Sequence, residues 1–212
     1  MSTGGGRRGS AHVDDPIEHA AQRRLAAAPD QTTDAIWEWK AVKKLFLWPE
    51  YRPGRNVYSD IGLGAESWRF RLRPGQVDRS EAILFDGCYH TLTAVSHPSP
   101  GTEQWDAARV FPVTAVRTRM TAAPDGSRIR QRAIDPTATL QFPCIVTERY
   151  RGAEQGEQHA TETHTLVAVV PKPITCALHD ILTIDGRQYV VTEAHEQDSW
   201  RNSYAIRYQG DV

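Results

Sequence analysis

The run Trp68-Arg69-Phe70-Arg71-Leu72-Arg73 alternates without a break between large apolar side chains and arginines. Successive side chains of an extended chain point to opposite faces, so a period of two predicts a strand with one face in a core and the other in water. Pro74-Gly75 ends the run. Ala82-Ile83-Leu84-Phe85 and Tyr89-His90-Thr91-Leu92-Thr93-Ala94-Val95 follow on either side of Asp86-Gly87. Two apolar runs around Asp-Gly predict a β-hairpin, because its tight turn needs positive φ, which glycine tolerates. The same grammar returns at Asp180-Ile181-Leu182-Thr183-Ile184, the turn Asp185-Gly186, and Tyr189-Val190-Val191-Thr192.

Outward from these hairpins the period of two persists. Ile36 to Lys40, Val110 to Met120, Phe142 to Tyr150, His164 to Val170 and Tyr204 to Tyr208 all read as strands. His97-Pro98-Ser99-Pro100-Gly101 and Arg151 to His159 read as breaks. Short strands at close intervals predict a mainly β fold of one or two small barrel or sandwich modules. A short N-terminal helix and a flexible arm precede them. Residues 1–12 form the low-complexity arm and 13–29 a peripheral helix, with Asp14, Asp15 and Pro16 as start signals and Pro29 as the stop. Residues 30–135 then form one β-rich domain and 136–212 another. The order of strand, proline break, Asp-Gly hairpin with tyrosine, tryptophan and final strand occurs in both halves, so internal duplication stands beside a single larger β-domain.

The 212 residues carry a formal charge of −1, with 40% hydrophobic and 24% charged side chains. No stretch approaches ~18 consecutive apolar residues, and Met1 to Ser10 lacks the apolar core of a secretory signal, so neither a membrane span nor secretion is expected. Of the 25 basic residues only Lys40, Lys43, Lys44 and Lys172 are lysines. Arginines recur at period two in Val116-Arg117-Thr118-Arg119-Met120 and Arg128-Ile129-Arg130-Gln131-Arg132, on either side of Pro124-Asp125-Gly126-Ser127. This hairpin has two readings, a solvated polar face or a ribbon of five guanidinium groups reaching a polyanion or an acidic neighbour. Leu45-Phe46-Leu47-Trp48, read as part of a connection, is a candidate subunit interface.

Tests for chemistry find little. His159 and His164 are five apart, which on a strand turns them to opposite faces, and neither HExxH nor a Cys/His pair at ligand spacing occurs. Cys88, Cys144 and Cys176 form no CxxC and fit buried thiols in a reducing compartment. Gly-x-Ser-x-Gly is absent, and Gly4-Gly5-Gly6-Arg7-Arg8-Gly9 follows no strand and so lacks the setting of a phosphate loop. No catalytic residue, metal or cofactor is expected.

Asp180 to Val191, with Asp180, Ile184, Gly186 and Tyr189, followed by Trp200 and a terminal strand, resembles the end of head-to-tail stopper proteins of tailed bacteriophages. The likeness covers residues 140–212, with a fainter echo over 36–120. It implies a small β-barrel that forms a six- or twelve-fold ring in the virion neck after assembly in the host cytoplasm. Portal or adaptor and tail proteins would be its partners, packaged DNA would be met without sequence reading, and no membrane or catalysis would be involved. The chain is longer than that family's usual pattern, which leaves a neighbouring connector such as an adaptor or tail terminator open. Two rivals from other classes remain: a β-barrel carrier whose Trp and Tyr line a pocket, and an enzyme using His159 or His164.

Overall fold

Fourteen strands and no helix make up the described residues, which in this computed structural model are 18–27, 35–52, 58–59, 62–63, 66–122, 132–151 and 163–211. The strands are β1 (Glu18–Ala27), β2 (Ala35–Tyr51), β3 (Tyr58–Ser59), β4 (Gly62–Leu63), β5 (Ser67–Leu72), β6 (Ala82–Phe85), β7 (Cys88–Ser99), β8 (Thr102–Val110), β9 (Val113–Ala122), β10 (Arg132–Arg151), β11 (Thr163–Pro171), β12 (Ile181–Ile184), β13 (Arg187–His195) and β14 (Arg201–Asp211). The fold is mainly β, as the alternation predicts.

Pairing closes two barrels. Antiparallel ladders run β1-β2-β5-β8-β7-β6 and return to β1. A second set runs β9-β10-β11-β14-β13-β12 and returns to β9. In each ring of six, counted in chain order, the first strand pairs with the second and fourth, and the third with the second and sixth. A short parallel contact, Leu140 opposite Ala35 and Gln141 opposite Ile36, joins the two into one sheet of twelve strands.

The likeness extends to individual registers. The turns Asp86-Gly87 (φ 48° and 70°) and Asp185-Gly186 (φ 48° and 75°) share one backbone conformation, and each joins a four-residue strand to a longer one. Opposite β8 the register of β7 shifts between Leu92 and Ala94, and opposite β14 that of β13 shifts between Val191 and Glu193. Leu92 faces Ala107 where Val191 faces Ile206, so Ala107 and Ile206 occupy one position of the barrel. Continuing around the rings, Arg69 and Arg71 match Val167 and Val169, and Trp48 matches Ile145. Few residue identities survive, but a one-residue slip would turn every core side chain outward, so the shared registers preserve one solution to barrel closure.

Inward positions fill both lumens. Leu45, Leu47, Phe70, Leu72, Ile83, Leu92 and Trp105 pack the first, and Phe142, Cys144, Ala168, Val170, Leu182, Val191, Tyr204 and Ile206 the second. A six-stranded barrel is narrow enough for side chains alone to occupy its interior. A third apolar cluster lies between the barrels, on their outer faces: Ala108 and Val110 of β8 with Tyr89 of β7, against Ile145 of β10 and Val167 and Val169 of β11. Trp39 of β2 stacks on Tyr89 with ring centroids 5.3 Å apart.

Four expectations are corrected. The helix expected over 13–29 is strand where it is described, at Glu18–Ala27. Alanine favours helices, but the backbone here is hydrogen-bonded by β2 on one side and β6 on the other, and tertiary pairing overrides a propensity of tenths of a kcal/mol per residue. The boundary expected at 135/136 moves to Phe111-Pro112, because β9 closes the second barrel rather than ending the first. Those two residues also divide the single strand expected over Val110 to Met120. The break expected from His97 shrinks to Pro100-Gly101, since β7 extends to Ser99. The arm expected over residues 1–12 lies outside the described residues.

Parity along β2 supplies a test. Leu47 is fully buried and Val42 is 47% exposed. Leu47→Ala is expected to lower unfolding free energy by about 2–5 kcal/mol, whereas Val42→Ala should change it by less than about 0.5 kcal/mol. Urea denaturation of the two variants checks both values.

Candidate functional site

Strand order forces the chain to cross one end of each barrel between its third and fourth strands. In the second barrel that crossover is Lys172 to Asp180, and its apolar residues Ile174 and Cys176 turn into the core. Its polar groups are held in a network. The Asn202 amide donates to the carbonyls of Lys172 (3.1 Å) and Ile174 (2.8 Å), while Lys172 Nζ donates to Asn202 Oδ1 (2.9 Å) and the Glu196 carbonyl (2.6 Å). The Tyr204 hydroxyl accepts from the Cys176 N–H (3.0 Å) and donates to Glu196 Oε1. Burial raises the pKa values of Tyr204 and Cys144, and pushes Cys176 up to about 12. These thiols stay protonated at neutral pH and are poor nucleophiles.

Asp180 closes the crossover. It is 1% exposed, Oδ2 accepts the Ala177 N–H (2.8 Å), and the Asp180 N–H donates to the Ala177 carbonyl (3.1 Å). The first barrel repeats the arrangement: Asp78 N–H donates to Glu81 Oε2 (2.8 Å) and Glu81 N–H to the Asp78 carbonyl (3.1 Å). Each acid thus ties a three-residue turn to the strand that follows it. Asp180 also faces two arginines. Nε of Arg117 and of Arg119 each lies 3.9 Å from Asp180 Oδ2, and Arg117 also donates to the Thr175 carbonyl.

This geometry redistributes the arginines of the basic hairpin. Arg117 shares the inward face of β9 with Ala115, is 9% exposed, and is committed to the crossover, so it does not project into solvent. Arg119 is partly exposed beside it. Arg132 at the start of β10 pairs through its backbone with Ala122 at the end of β9. Arg128 and Arg130 lie outside the described residues, as do His159 and the side chain of Arg132.

The candidate interface divides by parity. Leu45 and Leu47 are core residues of β2, not parts of a connection, whereas Phe46 (61% exposed) and Trp48 (38%) lie on the outer face. The C-terminal hairpin has the expected geometry: Ile184 is buried, Gly186 holds positive φ, and Tyr189 packs edge-on against Tyr208 at 5.9 Å. Trp200 reaches the first barrel instead, edge-to-face on Trp105 at 5.3 Å and with the Arg79 guanidinium 4.9 Å from its ring centroid. Trp200 therefore ties the barrels together, a role that spacing alone does not reveal.

The first barrel also buries a histidine. His90, 1% exposed, sits among Trp68, Phe70 and Phe85, with ring centroids 5.3–6.0 Å from its own. Nδ1 lies 3.1 Å from the Cys88 carbonyl. Burial pushes its pKa down, against the pull of the Cys88 and Ile83 carbonyls; Arg109 lowers it and Glu66 raises it at longer range. Its alternating strand position gave the only hint that it faces inward.

Among the described residues no three His, Cys, Asp or Glu side chains converge as metal ligands, and no helix is long and apolar enough to cross a membrane. No family model matches the chain, and no curated protein or solved structure matches it.

Two measurements test these features. Asp180→Ala leaves the Arg117 guanidinium buried without its carboxylate and is expected to cost about 3–5 kcal/mol, while Arg119→Ser removes the more exposed of the two guanidiniums and leaves Asp180 facing Arg117, so it should cost less. Chemical unfolding of both variants checks the contrast. For His90, the unfolded chain takes up a proton near pH 6.5 and the folded chain only at lower pH. Its contribution is therefore complete above that value and lost as pH falls, by at most about 1.4 kcal/mol per pH unit. Unfolding midpoints at pH 7.5 and 5.5 should fall further apart in the native protein than in His90→Phe.

Proposed function

We propose that the chain is a non-catalytic structural protein of the tailed-phage neck, a head-to-tail connector of the stopper type. In this reading copies form a ring between the portal or adaptor and the tail and help retain packaged DNA. The observation that carries the proposal is where residues 140–212 fall. The segment whose sequence resembles stopper proteins supplies most of β10 and all of β11 to β14, five of the six strands of one closed barrel. Small β-barrels are what that resemblance implies. A second barrel of the same topology accounts for the length beyond the family's usual pattern.

Both lumens are filled by side chains, which weighs against a carrier that would hold its ligand inside a barrel. Closed rings also leave no continuous sheet edge in either barrel for strand addition, so contacts with neighbours fall to outer faces and loops. For DNA, the other arginines of the basic hairpin are the relevant charges, because Arg117 is committed to the crossover. Contacts of this kind need only screen phosphates and carry no sequence information.

Imaging and mass spectrometry of purified particles test the assignment. The protein is expected at the neck in a copy number set by ring symmetry, and its absence from virions would overturn the proposal. Changing Arg119, Arg128, Arg130 and Arg132 together to Ser is expected to leave the unfolding midpoint within error while lowering the fraction of particles that keep their DNA.

A further inference from the structure

The barrels meet front to back. The first contributes the outer face of β7 and β8, with Tyr89, Ala108 and Val110, and the second that of β10 and β11, with Ile145, Val167 and Val169. These are different positions of one repeated topology, so the contact is heterologous. Each barrel consequently retains the face that its sibling uses. On the first, the equivalent of Ile145 is Trp48, flanked on β2 by Phe46 and beside Arg69 and Arg71 of β5. On the second, the registers give Arg207 for Ala108 and Gln188 for Tyr89, and a register shift after Gln188 sets Gly210 opposite it, with Gln209 exposed next to it.

We propose that the Trp48 face of one copy docks on the β13–β14 face of a second copy, repeating between chains the front-to-back contact that joins the barrels within one. The occupant is a second copy because the chain itself displays what covers this face, a barrel presenting the sixth and fifth strands of its ring. The chemistry suits a contact that opens and closes. Trp48 is 38% exposed and Phe46 61%, while Arg207 and Gln209 are exposed opposite them. The two arginines beside Trp48 are already paired, Arg69 Nε with Asp106 Oδ1 at 2.8 Å and Arg71 with Glu50 Oε2 at 3.5 Å. Their pairing leaves the exposed parts of Trp48 and Phe46 as the apolar centre of the face. Such a wet interface, with aromatic anchors and a charged rim, is weaker than the aliphatic one inside the chain. Repetition of a heterologous contact produces a ring when the rotation closes and a filament when it does not.

The inference rests on the duplicated registers and not on the neck assignment. Sedimentation of the full chain over a wide concentration range tests it. The native protein should pass from monomer to species larger than dimer, and Trp48→Lys, which sets a cation against Arg207, and Arg207→Glu should each sediment as monomers with unchanged circular dichroism. Mixing the two variants should restore a 1:1 dimer and nothing larger, since each retains the face that the other lacks. An isologous contact would leave one variant dimeric alone and give no rescue on mixing, which overturns the proposal. A native chain monomeric throughout overturns it as well. If that chain is nevertheless found in virion necks, only this interface fails and the neck assignment stands.

Discussion

Each barrel depends on a first strand that is hydrogen-bonded on both sides: β1 between β2 and β6, β9 between β10 and β12. An open six-stranded sheet would present two rows of unpaired backbone groups, and closing it satisfies both at once. Closure in this order sends the chain across a barrel end between the third and fourth strands. The arriving strand must enter in the right register, and Glu81 and Asp180 hold it there through reciprocal bonds to the residue three before. Misplacing that strand by one residue would put Ile83 and Phe85, or Leu182 and Ile184, into solvent.

The two copies have filled the same space differently. Where the first barrel has Leu45 and Phe70 at inward positions of neighbouring strands, the second has Phe142 and Ala168, so the aromatic ring sits on one strand in the first barrel and on its neighbour in the second. Trp105 likewise corresponds to Tyr204, whose hydroxyl then requires partners and finds them in Cys176 and Glu196. Volume can be redistributed among neighbouring core positions at little cost, but a polar atom brought inside must be satisfied. The polar network of the second crossover follows in part from that one exchange.

What was legible in the sequence is what is local. Asp86-Gly87 and Asp185-Gly186 impose positive φ wherever they occur, and the alternation at Trp68 to Leu72 needs only its own residues to be read. Closure is not local. Nothing within Glu18–Ala27 signals that strands on both sides will claim its backbone, so its alanines read as helix. Leu45-Phe46-Leu47-Trp48 hid its alternation because all four residues are apolar, and parity emerged only when β2 was paired with β5. Arg117 misled for the opposite reason. Arginine at period two ordinarily marks a wet face, and the buried carboxylate that draws it inward lies 63 residues away in the chain. The candidate site was therefore readable at its hairpin and unreadable in its ion pairs.

A difference between equivalent strands shows that the covered face was nevertheless written in the sequence. In β5 the outward positions are Arg69 and Arg71, and the strand alternates; in β11 they are Val167 and Val169, and Val167-Ala168-Val169-Val170 is apolar without interruption. An apolar run of this length in a strand means burial on both faces. One face of β11 lines the second lumen and the other receives the first barrel. Loss of alternation is thus the mark of the inter-barrel contact, and its retention in β5 marks the corresponding face as one that meets water or a dissociable partner. Two strands with the same position in the same topology differ in pattern because only one of them lies at the junction.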